Sequence, residues 1–175
     1  TGNHFTGNHV AIERFMYWIA YEKIYTDVGN QSWYKRNLIV SFDMTSEEFT
    51  EVNLPGSLDI DPASNFNLYN IGESLVLVHF KKEAGKRVHS VWKMMEHGAS
   101  KSFTKLYTLN TTDGINHVHG FRKSGEPIVE SKNNHQKDLF AYELDSKHLN
   151  SIGIFGNPFL FRVSSYFETL LLLDQ

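Results

Sequence analysis

Phe42, Trp92 and Tyr142 stand 50 residues apart, each inside a short alternating apolar run. A fixed period of that length, in which every unit reads as several strands, is the signature of propeller-type repeats. Aromatic residues make up 14% of the chain, so three of them on one grid carry weight only if their neighbours agree. At two of the three positions they do. Phe42-Asp43-Met44-Thr45-Ser46-Glu47-Glu48-Phe49 and Tyr142-Glu143-Leu144-Asp145-Ser146-Lys147-His148-Leu149 both run aromatic, acid, aliphatic, polar, serine, charged, polar, apolar. The expectation is an all-β chain built from about three antiparallel meander units.

The local pattern fills in those units. From Phe15 to Tyr25 the residues Phe15, Tyr17, Ile19 and Tyr21 alternate with Met16, Trp18 and Ala20, which suits a strand buried on both faces. Ile12, Phe15, Ile19 and Lys23 also fit a helix, the weaker of the two readings. Residues 27–36 are polar and turn-rich and read as a loop. Strands at 38–43 and 49–54 follow, and Leu54-Pro55-Gly56 ends the unit, because proline cannot donate to a ladder. The second unit takes residues 74–80, a charged loop at 81–87, then 88–94 and 103–109. The third takes 127–130, 139–144 and 149–155. Residues 164–173 are ambiguous: they suit a closing strand, yet Ser165-x-x-Glu168 ahead of four leucines matches a helix capping box. In this reading the three aromatics mark the second strand of each unit.

Bulk properties narrow the function. At 175 residues the chain is one domain or part of one. Net charge is −3 and no five like charges adjoin, so neither nucleic acid nor a membrane surface is expected as a partner. No apolar stretch approaches the ~18 residues of a membrane span. With no cysteine there is no disulfide and no thiolate chemistry, which suits an intracellular location, cytoplasm or nucleus. The chain opens on Thr1, and Thr1-Gly2-Asn3-His4 recurs as Thr6-Gly7-Asn8-His9, which reads as a cut or degenerate start. Three units are also fewer than the four to eight blades with which propellers close. A partial propeller, the C-terminal part of a larger one, is expected.

The ordered motifs resemble a known family. Tyr17-Trp18-Ile19-Ala20, then Ile39-Val40-Ser41-Phe42-Asp43-Met44, Glu48-Phe49 and Leu54-Pro55, look like a blade of the plant F-box-associated domain. Gly72-Glu73-Ser74-Leu75-Val76-Leu77-Val78, Val91-Trp92-Lys93-Met94 and Ser102-Phe103-Thr104-Lys105-Leu106 resemble the next blade. Gly120-Phe121-Arg122-Lys123-Ser124-Gly125-Glu126-Pro127 and Ser165-Tyr166-Phe167-Glu168-Thr169-Leu170 resemble the last. The likeness covers nearly the whole chain, and it implies that residues 1–175 are one F-box-associated domain, its C-terminal portion. It implies a kelch-like propeller that recruits protein substrates to a cullin-RING (SCF-type) ubiquitin ligase, with an Skp-type adaptor bound through an F-box. This chain shows no F-box, and Glu13-Arg14 replaces the family's Asn-Gly-like turn. Ligase function is therefore expected of a longer parent protein.

Catalytic chemistry finds little footing. His117-x-His119 places two imidazoles on one strand face beside Asp113, but with no second motif this falls short of a metal site. Glu47-Glu48 and Asp59-x-Asp61 are carboxylates adjacent in sequence, not an acid and base facing across a pocket. Thr111-Thr112-Asp113-Gly114 starts a sialidase-type box without completing it, and no nucleophile elbow or phosphate-cradling loop occurs. The expectation is a non-enzyme with no metal or cofactor, the alternatives being a β-rich hydrolase or glycan-binding module, or a truncated non-functional product. Trp18, Phe42, Trp92 and Tyr142 are expected as core packing. Trp33-Tyr34-Lys35-Arg36, bulky rings beside cations in the loop before a strand, form the candidate partner contact.

Overall fold

A computed structural model describes residues 4–26, 33–56, 58–59, 65–97, 100–110, 114–131, 137–156, 161 and 163. Among them are twelve strands: β1 His4–Ile12, β2 Phe15–Tyr25, β3 Trp33–Asp43, β4 Glu48–Asn53, β5 Asn65–Ile71, β6 Ser74–Glu83, β7 Lys86–His97, β8 Ser100–Asn110, β9 Ile115–Phe121, β10 Pro127–Ser131, β11 Lys137–Tyr142 and β12 Leu149–Gly156. They form three four-stranded antiparallel sheets, β1 to β4, β5 to β8 and β9 to β12, each in sequential meander order. The all-β expectation holds, and residues 15–25 are strand, paired along their full length with β3.

Each sheet has one strand more than the three the sequence suggested, and it is the first. β1, β5 and β9 are rich in Asn, His and Thr, types that favour turns or carry little β signal. Phe42, Trp92 and Tyr142 consequently lie on the third strand of each sheet, not the second. The second copy of the Thr-Gly-Asn-His doublet falls within β1, so it is part of the sheet.

Two apolar layers join the sheets. Leu75 and Leu77 of β6 pack with Ile19, Ile39 and Val52 of the first sheet. Val76 and Val78, pointing the opposite way, pack with Ile115, Val118, Val129 and Tyr142 of the third. The unbroken run Leu75-Val76-Leu77-Val78 is thus what a strand buried on both faces requires. First strands adjoin first strands, β1 against β5 and β5 against β9, and β4 adjoins β8. Between the first two sheets, Leu54 and Leu58 enter the core, while Asn37 donates its backbone N–H to the Asp59 carbonyl at 2.6 Å.

The turns explain the sequence parallels. Glu47 (φ 57°) and Lys147 (φ 56°) occupy the same place in the two matched eight-residue flanks, and both are left-handed. Phe42 pairs with Phe49 as Tyr142 pairs with Leu149. At the β1–β2 turn Glu13 takes φ 51°, the left-handed role an Asn-Gly pair would fill, and Arg14 ties the turn to Asp43 at 3.2 Å. The charged loop expected at 81–87 is mostly ladder: β6 and β7 pair up to Glu83 and Lys86, leaving Ala84 (φ 48°) and Gly85 (φ 76°) as a two-residue turn. Alternating pairs Lys81–Val88 and Lys82–Arg87 sustain the strands despite their charge. Two positive φ angles define the turn that favours Asn-Gly. Ala84→Asn should therefore stabilise the chain by about 0.5–1 kcal/mol, read as a higher urea midpoint.

Residues 164–173, on which the closing strand or capped helix was expected, lie outside the described residues. Among the described residues no helix is long and apolar enough to cross a membrane.

Candidate functional site

The residues singled out as a partner contact sit on β3, not in a loop. Among the described residues, β1 follows β2 as far as Tyr21, and β4 follows β3 as far as Leu38. The β2–β3 ladder continues past both, through Glu22–Arg36, Lys23–Lys35 and Ile24–Tyr34 to Tyr25–Trp33. Among the described residues, a two-stranded ribbon thus extends beyond the four-stranded sheet. Equal arms of eleven residues made that pairing available, but the polar composition of 27–36 concealed it.

Strand alternation divides the four predicted residues between two faces. One carries Tyr21, Lys23, Tyr25, Trp33 and Lys35. Directly opposed lysines repel, and here each ammonium rests on a ring: Lys23 Nζ lies 4.9 Å from the Trp33 centroid, Lys35 Nζ 4.2 Å from that of Tyr21. Such contacts stabilise exposed sites by about 0.5–1 kcal/mol each. On the other face Tyr34 opposes Ile24, and Arg36 forms an ion pair with Glu22 and approaches Glu51 at 3.8 Å. Arg36 is therefore engaged within its own sheet. Trp33 is 48% exposed, Tyr34 43% and Tyr25, which sequence reading missed, 62%.

A second cluster lies between sheets two and three. Arg87 of β7 donates from Nη1 to Asn116 Oδ1 at 2.9 Å and to the Asn116 carbonyl at 3.3 Å. Asn116 passes the link on, donating from Nδ2 to Glu130 Oε1 at 2.7 Å, and Glu130 Oε2 meets His119 Nε2 at 3.3 Å. Register shifts in the β9–β10 ladder leave Asn116 and His119 as the extra residues of two bulges, the device that re-aims side chains from a sheet. The His117 and His119 rings are 4.8 Å apart, and His89 of β7 lies 6.2 Å from His117. Burial holds His89 and His117 down at about 4, each further lowered by its histidine neighbour, and His119 is also depressed by burial despite Glu130. The cluster is thus neutral in its imidazoles at physiological pH.

His117 and His119 do meet, as their spacing suggested, but Asp113 lies outside the described residues. Among the described residues no group of three His, Asp or Glu side chains could hold a metal ion. Glu47 and Glu48 sit exposed at the β3–β4 turn, Asp59 is half-buried in the connector, and residue 61 lies outside the described residues. Glu130 had no sequence signal: its value comes from the bulges opposite it. Trp18, Phe42 and Trp92 are half-buried and Tyr142 fully buried, in keeping with packing roles.

No family model, no curated protein and no solved structure matches this chain.

Proposed function

We propose that this chain is a non-catalytic recognition module for protein substrates, a partial kelch-like propeller of F-box-associated type. It presents its partner-binding surface at the β2–β3 ribbon. The observation that carries the reading is the set of exposed rings at Tyr25, Trp33 and Tyr34 beside two lysines stacked on aromatic faces. Rigid aromatic anchors flanked by cations are the composition of interaction hot spots. Lys23 and Lys35 favour a partner surface that is apolar at its centre and acidic at its rim.

The meander sheets support the propeller part of the proposal, since stacked first strands with outer fourth strands are how blades pack around an axis. On this reading the Skp-type adaptor is met through an F-box outside these 175 residues, and the working compartment is cytoplasm or nucleus. Substrate choice then lies in the loops and ribbon, while the strands carry the scaffold.

The test is comparative capture with the intact chain and the Tyr25→Ala/Trp33→Ala variant, followed by titration of the purified partner against both. Both side chains are exposed, so each substitution should change stability by no more than about 1 kcal/mol, the cation–ring contact of Trp33 included. Partner affinity should fall by about 10- to 100-fold. A partner that binds both proteins equally removes the ribbon from the reading.

A further inference from the structure

We propose that the junction between the second and third sheets is an acid-sensitive latch: protonation of His89 and His117 opens the Arg87–Asn116–Glu130 link before the first and second sheets part. The geometry makes the junction vulnerable to acid. Arg87, from the second sheet, donates to both the side chain and the backbone carbonyl of Asn116, which sits on a bulge of the third. Beside that link His89 is 1% exposed and bonds the Asn116 backbone, while its Nε2 has no hydrogen-bond partner. A proton added there creates a buried cation whose new N–H faces no acceptor.

The surrounding charges do not rescue it. Around His89 and His117 stand Arg87 of β7, His79 of β6, His119 of β9 and Glu130 of β10. Tyr69 of β5 donates its hydroxyl to the Val118 carbonyl, and half-buried Tyr107 of β8 keeps a neutral phenol whose oxygen is buried. Asp138 of β11 is buried at the same end of the third sheet. Glu130 is the nearest counter-charge, and its two oxygens already serve Asn116 and His119. Two imidazolium ions would share it with Arg87.

Among the described residues the first interface carries one buried imidazole, His79 of β6, which shares the face of Leu75 and Leu77 and stacks on Phe66 at 5.0 Å. Its core is built from Ile12, Ile19, Ile39, Val52, Leu54, Leu68, Leu75 and Leu77, with Tyr17, whose hydroxyl is pushed up to about 12 by burial. The apolar residues of that layer carry no charge between pH 7 and 4, so acid acts chiefly on the interface that gathers His89, His117 and His119.

The sign follows from linkage. Both histidines bind protons less readily in the closed state than in the open one, so closure is fully favoured above about 6.5 and weakens as pH falls toward 4. At pH 5 each favours opening by about 30-fold over pH 7.5. Hydrogen exchange on the intact chain, corrected for intrinsic pH dependence, should show protection lost in β7, β9 and β10 at pH 5 while β2 and β3 remain protected. His89→Phe/His117→Gln should keep β9 and β10 protected at pH 5. Equal loss across all three sheets, or an unchanged pH profile in the double variant, overturns the latch. Should that variant fail to fold, imidazole titration by NMR in the unaltered chain decides: His89 and His117 titrating near 6.5 overturns it, and titration well below supports it.

Discussion

Replacing Tyr142 with alanine is expected to destabilise the chain by about 3–5 kcal/mol, the cost of emptying a large aromatic site in a closed core. Tyr142 is 2% exposed and packs among Val76, Val78, Val91, Ile115, Val118 and Val129, drawn from both the second and the third sheets. The fully buried members of that group are short branched aliphatics held on strands, which fill little of the void, so a cavity term adds to the lost transfer energy. Phe42, which holds the same place on the first sheet, gives the contrast. It is half-buried and its ring lies 4.7 Å from that of Phe49, itself well exposed, so water already reaches the pair. Phe42→Ala should cost about 1–2 kcal/mol, mostly partial burial and the ring contact. Urea unfolding of the two variants checks the difference. Equal losses would mean that the repeated aromatics do equivalent jobs, contrary to their surroundings.

That contrast also says what the 50-residue spacing recorded. The spacing marks a backbone position, the third strand of each sheet, and the two left-handed turn residues Glu47 and Lys147 keep the same offset from it. Periodic residues in a repeat are set by strand register, which each sheet imposes on its own, whereas burial is set by the neighbouring sheet. The second layer is deeper around Tyr142 than the first sheet's surface is around Phe42. Legible strands were those with dense apolar runs, such as β2, β6 and the 38–43 part of β3. The first strands escaped because Asn, His and Thr in β1, β5 and β9 weaken the alternating signal. The Trp33 to Arg36 stretch was legible as a patch of rings and cations but misplaced as a loop, because its strand character comes from cross-strand partners 8 to 14 residues away. Nothing local to Glu130 or Asn116 announces their contact. It depends on two bulges, which are properties of a ladder between two segments and invisible in either alone.

Glu130 therefore supports a prediction of comparable size. Its side chain is 4% exposed, and removing the carboxylate leaves Asn116 Nδ2 and His119 Nε2 without the oxygens they now meet. Breaking one side of a buried polar network costs more than the network contributes net, because the surviving groups stay desolvated. Glu130→Ala should destabilise by about 3–5 kcal/mol. Asn116→Ala should cost about 1–3 kcal/mol, since Arg87 then loses its side-chain acceptor and retains only the backbone carbonyl. The decisive quantity is the pair. Once Asn116 is gone there is no amide left to orphan, so the double variant should be less damaged than the two single losses together by about 1–2 kcal/mol. Urea unfolding at pH 7.5, where the imidazoles are neutral, isolates this coupling from protonation. Strict additivity would mean that the Arg87–Asn116–Glu130 chain is three separate contacts, and the link between the sheets would then have to be sought in the apolar layer and the Tyr69–Val118 hydrogen bond.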